Sequence, residues 1–450
     1  MTSLCPNNFQ ALKPTRHSIL RPATTIALAG LLILSTAACA PAQDAQSEAA
    51  ASAGQSEEEA RPHGWVEGAT ELSEPKVSLA ALDNEGVLTL TDAATLEAEQ
   101  IGSIEGALTT VSDGRFVIAL TQDALHIVDT GVWTVEHGDH QHYYSVPSRD
   151  LGAIDLTEAG IDASVIAQAT AQINEAGATP LAVDSSESST VIRVGDRAVL
   201  LDREALGQGE VKILASADAD ANSWVAPMGG GWATINQGAL TILDQTGTII
   251  DGAPTGTCTD AHGGISTRAG AVFGCAEGAL IVNATISSTD ENAQADWTVT
   301  PAPLPEGSDP ASRPLDLSGR AGRPDVAGLD PTGGIWVLAV RDAQWTHIDS
   351  DADLVATSCL DDSDDRVVAL DSQGVVHVWA ENDDTYALEA SSEPVANPQI
   401  AAMGLYVTQN RLYVAAADAA SVLEINPADA ASTTRTIDAA GLAFLQEVGL

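Results

Sequence analysis

Val367-Val-Ala-Leu-Asp-Ser-Gln-Gly-Val-Val-His-Val378 holds two apolar runs on either side of a short polar stretch that ends in glycine. β-Branched residues bounded by turn formers predict strands, and two such runs around a tight turn predict an antiparallel hairpin. The same phrase recurs outward in both directions. Towards the N-terminus stand Asp330-Pro-Thr-Gly-Gly-Ile-Trp-Val-Leu338, Ala276-Glu-Gly-Ala-Leu-Ile-Val282, Asn236-Gln-Gly-Ala-Leu-Thr-Ile-Leu243, Asp113-Gly-Arg-Phe-Val-Ile-Ala-Leu120 and Asp83-Asn-Glu-Gly-Val-Leu-Thr-Leu90. Towards the C-terminus, Leu405-Tyr-Val-Thr408 and Asn410-Arg-Leu-Tyr-Val-Ala415 supply a last set.

Hairpins repeated from Val77 to the C-terminus predict an all-β fold, a β-propeller of about seven blades, with roughly 40 to 50 residues per blade. Paired β-sandwiches are the main alternative. A strand near Val77 is expected to close the ring against the last blade. Thr157–Ala176 departs from the pattern. Ile161, Val165, Ile166 and Ile173 fall on one face at helical spacing, which predicts a helical insertion or an eroded strand pair.

The N-terminus has a different character. Lys13, Arg16 and Arg21 precede the apolar run Ile26–Leu34, and small residues then lead to Cys39. A basic start, a short apolar core and a small-residue cleavage site make a secretory signal. The Thr36-Ala-Ala-Cys39 ending resembles a bacterial lipobox, with Thr36 where leucine is commoner. The expected organisation is therefore a lipoprotein signal peptide over 1–38, a lipid anchor on Cys39 with a flexible acidic linker over 39–75, and the propeller over 76–450. The linker is rich in Ala, Ser, Gln and Glu, and Trp65 is its one large apolar residue of note. Such a composition cannot offset the entropy of ordering. The expected location is the extracytoplasmic face of the cell membrane, reached through the lipid alone.

The chain carries 19 Lys+Arg against 63 Asp+Glu, a formal net charge of −44. Removing the basic leader makes the remainder more acidic still. Nucleic acid is excluded as a partner, because a polyanion requires a basic surface. Of five cysteines, Cys5 lies in the leader and Cys39 takes the lipid. In an oxidising compartment Cys258 and Cys275, close in sequence around a turn and a strand, are expected to form a disulfide worth about 3 kcal/mol. Cys359 is left over and expected to be buried.

The chain has no Gly-x-Ser-x-Gly elbow, phosphate loop, His-Glu-x-x-His or Cys-x-x-Cys, so an enzyme is not expected. Asp349-Ser-Asp-Ala-Asp353 begins like a calcium loop but has Leu354 and Leu360 where glycine and glutamate are needed. Asp361–Asp365 reads as a solvated turn. Three of the nine histidines fall in Glu136-His137-Gly-Asp139-His140-Gln-His142. Imidazole and carboxylate suit zinc, and the absence of nearby Met or Cys disfavours copper. His140 and His142, two apart, point to one side of an extended backbone. His137 and Asp139 are similarly spaced, and a remote ligand is expected from another blade. His262, inside the Cys258–Cys275 loop, is the candidate. His63 in the linker is a possible accessory ligand or a plain linker residue. His126, His347 and His377 lie in strand-like runs and are expected to serve the blades.

His137-Gly-Asp-His140-Gln-His142 after a strand, with Cys258–His262 followed by Phe273-Gly-Cys275-Ala-Glu-Gly278, resembles the AztD family of zinc metallochaperones. The resemblance extends loosely over Val77–Leu450. It implies a propeller carrying Zn2+ on several histidines and one carboxylate: His137, His140, His142, His262 and Asp139. It implies delivery to the substrate-binding protein of a zinc ABC transporter. The family's histidine-bearing N-terminal segment is represented here by His63 alone. A monomer is expected. The rival readings are a surface-anchored propeller that binds a protein or glycan, and a propeller enzyme such as a lactonase or quinoprotein.

Overall fold

The computed structural model describes residues 64–137, 140–173, 178–286, 295–382, 385–402, 404–408 and 410–450; the side chains of Glu136 and His137 lie outside the description. Cys39, His63 and Asp139 therefore fall outside the described residues.

The hairpin at 367–378 forms as its sequence predicts. Val367–Asp371 pairs antiparallel with Val376–Asn382, Leu370 lying opposite Val376. The turn is held by Asp371, whose Oδ1 accepts from the amides of Gln373 and Val375, both at 2.9 Å. Gly374 takes a φ of 85°, a left-handed conformation that costs glycine least. Asp83 holds the 83–87 turn through the same two-amide contact, at 2.9 and 2.8 Å, and Asp244 holds 244–248 at 2.8 and 3.0 Å. An aspartate accepting from its own downstream amides is the physical content of the recurring Asp-x-x-Gly phrase.

Among the described residues, eight sheets follow one another around a ring, seven of four strands and one of three. Blade 1 joins the two ends of the fold: the C-terminal strand Leu442–Val448 is innermost and pairs with Ser78–Asp83, followed by Val87–Asp92 and Ala98–Ser103. Blade 2 runs Thr109–Ser112, Phe116–Leu120, Leu125–Asp129 and Arg149–Ile154. Blades 3 to 8 begin at Leu181, Val225, Gly264, Leu315, Leu354 and Tyr406. The count is thus eight where the sequence spacing indicated about seven. Blade 4 has three strands, and the irregular segment 248–257 runs beside its outer strand, where Leu240 donates to Gly256 O at 2.9 Å.

Stacked blades bury both faces of their middle strands, which is why so many runs are wholly apolar rather than alternating. Phe116, Ile118, Leu120, Ile127, Ile192 and Leu201, for example, share one core between blades 2 and 3. Each fully buried side chain of this kind contributes roughly 1.5–3 kcal/mol. The predicted helical insertion is present between those blades as a short 3-10 turn, Thr157–Ala159, and an α-helix, Ala163–Gln172. Asp162 caps the helix by accepting from the amides of Ser164 and Val165. Ile161, Val165, Ile166 and Ile173 pack on that same core.

His347 and His377 serve the blades. His347 Nε2 meets Asp330 at 2.9 Å and its ring packs on Trp336; His377 Nε2 meets Asp371 at 3.0 Å beside Trp379. Cys258 and Cys275 form a disulfide with Cα atoms 4.9 Å apart, and Cys359 is a buried free thiol.

The segment before Pro75, expected as part of the flexible linker, is structured from Gly64 onward. Thr70–Leu72 is a strand, and Trp65 packs against a cluster of Trp133, Val135 and Tyr144. Trp65 Nε1 donates to Ala69 O at 3.0 Å, and Trp133 Nε1 donates to Gly64 O at 3.3 Å. A single indole, given a partner surface, outweighs a polar composition.

Candidate metal site

The histidine segment forms a hairpin inserted between the third and fourth strands of blade 2. Val132–His137 pairs with His140–Ser145, and Thr70–Leu72 adds a third strand along the outer edge of the second. The exit from blade 2 is fixed by a buried ion pair. Arg115 donates to both oxygens of Asp129, at 2.9 and 2.8 Å, and Gly131 donates to Asp129 Oδ1. The Arg115 guanidinium lies 3.9 Å from the centre of a Trp133 ring, and Thr134 donates to Gly449 O at 2.9 Å. The small sheet therefore rests on the first turn of blade 2 and on the C-terminus of the chain.

Register decides which residues meet. His140 lies opposite His137, His142 opposite Val135, and Tyr144 opposite both Trp133 and Glu71. Residues directly opposite in an antiparallel ladder occupy one face, as do alternate residues along a strand. The inner part of that face is apolar, with Trp133 and Tyr144 rings 5.4 Å apart. The outer part is polar. His140 Nε2 lies 3.1 Å from His142 Nε2, and His142 Nδ1 lies 2.7 Å from Glu71 Oε1. The two imidazoles meet at 72°, and the His142 ring stacks with Tyr144. Burial and the neighbouring Glu71 charge push the Tyr144 hydroxyl up to about 12.

The tautomers follow from the partners. A carboxylate oxygen accepts, so His142 Nδ1 carries hydrogen and His142 Nε2 presents a lone pair. In the neutral pair His140 Nε2 supplies the proton between the two nitrogens. Zinc–imidazole bonds of about 2.0–2.1 Å in a tetrahedron place two nitrogens about 3.3 Å apart. The observed 3.1 Å is close to that edge; for both Nε2 atoms to face one cation, His140 would carry its hydrogen on Nδ1 instead. Among the described residues, no group of three or more His, Cys, Asp and Glu side chains is arranged to hold a metal ion. The described part of the site is two imidazole donors with a carboxylate behind one of them.

His262 is elsewhere. It sits where the chain enters the innermost strand of blade 5, Gly264–Thr267. In an antiparallel blade that entry lies at the opposite end from the connection between third and fourth strands, where the hairpin emerges. The His262 Nδ1 lies 2.7 Å from Asp260 O, its amide donates to Gly274 O at 3.1 Å, and the Pro314 backbone and the Arg313 charge also act on its ring. The residue is 5% exposed, and burial lowers its pKa from the ordinary histidine range. It lies inside the loop closed by the Cys258–Cys275 disulfide, away from the hairpin histidines.

Glu71 was absent from the candidates read in the sequence. It belongs to a stretch that reads as linker, and only strand pairing brings it beside His142. The proximity of Trp65 to a Thr-Glu-Leu run is the sole local sign of order there.

An eight-sheet ring with an inserted histidine hairpin defines a β-propeller. No family model matches the chain. The chain is similar to the crystal structure of AztD from Citrobacter koseri, with a TM-score of 0.60 and 14% identity over 83% of this chain and 98% of that one. It is similar to apo AztD from Citrobacter koseri, with a TM-score of 0.59 and 13% identity over the same shares. Dihydro-heme d1 dehydrogenase NirN aligns over 84% of this chain and 76% of that one, at 11% identity and a TM-score of 0.47. At these identities the likeness to AztD is one of fold.

Proposed function

We propose that the protein is a cell-envelope zinc metallochaperone, lipid-anchored through Cys39 at the extracytoplasmic face of the membrane. It delivers Zn2+ to the substrate-binding protein of a zinc ABC importer. The observation that carries this reading is the 3.1 Å approach of the His140 and His142 Nε2 atoms on a surface hairpin. The motif resemblance to AztD metallochaperones and the likeness of fold to AztD support it. His140 and His142 bind the ion, with His137 and Asp139, their neighbours in the sequence, as the further ligands. Zinc is cargo: a site on an exposed edge allows an incoming imidazole of the acceptor to replace one ligand at a time. A buried, closed site would release metal too slowly for transfer.

The test is a zinc titration by calorimetry with metal analysis on the untagged chain from Ala40 onward. One tight stoichiometric site is expected in the wild type, and its loss in the His140→Ala/His142→Ala variant. The reading fails if no stoichiometric site exists or if the double variant binds as well. Transfer to an apo zinc-binding protein faster than spontaneous release then separates a chaperone from a store.

A further inference from the structure

The geometry points to Glu71 as the positioning residue of the zinc site: from a strand outside the propeller ring, its carboxylate fixes the tautomer and orientation of His142. This rests on the zinc reading above and adds to it a residue whose role is to act through another.

Three observations carry it. Glu71 Oε1 lies 2.7 Å from His142 Nδ1, the ring nitrogen facing away from His140. The contact is set by backbone, because Thr70, Glu71 and Leu72 pair in register with Ser145, Tyr144 and Tyr143. The strand is in turn held by Trp65 and Val66 against Trp133 and Val135. A carboxylate behind a ligating imidazole holds the Nδ1–H tautomer, aims the Nε2 lone pair at the metal and raises its basicity. The hairpin alone supplies the nitrogens. The strand at 70–72, which precedes the first blade, supplies the group that readies one of them.

The test uses Glu71→Ala and Glu71→Gln in the untagged chain from Ala40 onward, with two readouts. The first is the tautomer of His142 by nitrogen-15 NMR of the imidazoles without metal. Nδ1–H is expected in the wild type, and a mixture weighted to Nε2–H in Glu71→Ala. The second is zinc affinity by competition with a chelator. A 10- to 100-fold loss is expected in Glu71→Ala and a smaller loss in Glu71→Gln, which keeps an acceptor. Unchanged circular dichroism and melting temperature separate the effect from loss of the fold. Wild-type zinc binding with Glu71→Ala within twofold of it overturns the inference alone, as does a His142 tautomer indifferent to Glu71. Absence of zinc binding by the wild type overturns both this inference and the zinc reading.

Discussion

His140 and His142 bring their Nε2 atoms to 3.1 Å across one face of a hairpin that lies outside the ring of blades. Two residues apart on an extended strand, they share a face by the pleat alone, and Tyr144 continues the row into the apolar part of the sheet. The pair is thus a property of a small sheet attached to the propeller, separable from the propeller's own stability.

That separability makes the first prediction. Replacing Cys258 and Cys275 by alanine removes a cross-link spanning 17 residues at the blade 5 entry. Chemical denaturation should show a loss of about 3 kcal/mol. Zinc affinity should stay within twofold, because His262 and the disulfide lie away from the hairpin. A large loss of zinc affinity in a folded variant would place His262 in the metal site.

Asp129 gives the second. It pairs with Arg115 in the interior, the two side chains being 1% and 2% exposed. Asp129→Ala leaves the guanidinium buried without its partner and should cost about 3–5 kcal/mol in denaturant unfolding. Asp129→Asn, which keeps an acceptor, should cost less. Because Arg115 also lies over Trp133, the alanine variant should increase hydrogen exchange in 132–145 before it does so in blades 4 to 8.

The start of the fold gives the third. A chain beginning at Lys76 keeps every blade strand but loses Trp65 and the strand Thr70–Leu72. Its circular dichroism should match that of the longer chain, while Trp133 fluorescence shifts to longer wavelength as its cover is removed. Zinc affinity should fall about as far as in Glu71→Ala, roughly 10- to 100-fold. Equal affinity in the two chains would show that the segment before Pro75 plays no part in the site.

Asp184 gives a pH dependence. Burial, opposed by the Ser266 hydrogen bond, pushes its carboxyl up to about 7. In the folded state it therefore holds a proton that the unfolded chain has released. Its contribution to stability is full below the unfolded value near 3.8 and is lost as pH rises through about 7. Asp184→Asn should remove that decline, and by pH 8 be more stable than the wild type by at least about 1 kcal/mol. Denaturant midpoints measured from pH 5 to 8 check the sign.

Much of the fold is legible because the turns carry their own chemistry. Asp83, Asp244 and Asp371 each hold a turn with their own carboxylate, so hairpins show in the sequence without reference to the rest of the chain. The disulfide, the helical insertion and the closing contact of Ser78–Asp83 are likewise local or terminal features. The blade number is less legible, because blade 2 contains an extra hairpin and blade 4 lacks a fourth strand, so the spacing is uneven. Glu71 and His142 are 71 residues apart and meet only through register. The position of His262 depends on which end of the ring a connection leaves from, a fact set by strand number rather than by residue type.

The central claim is that the hairpin histidines hold zinc. Zinc K-edge absorption spectroscopy on the chain from Ala40 onward, loaded with one equivalent of zinc, tests it most directly. The account predicts a shell of nitrogen and oxygen at about 2.0–2.1 Å with the multiple scattering of at least two imidazoles. That imidazole scattering should drop in the His140→Ala/His142→Ala variant. A sulfur shell at about 2.3 Å, or imidazole scattering unchanged in the double variant, would contradict it.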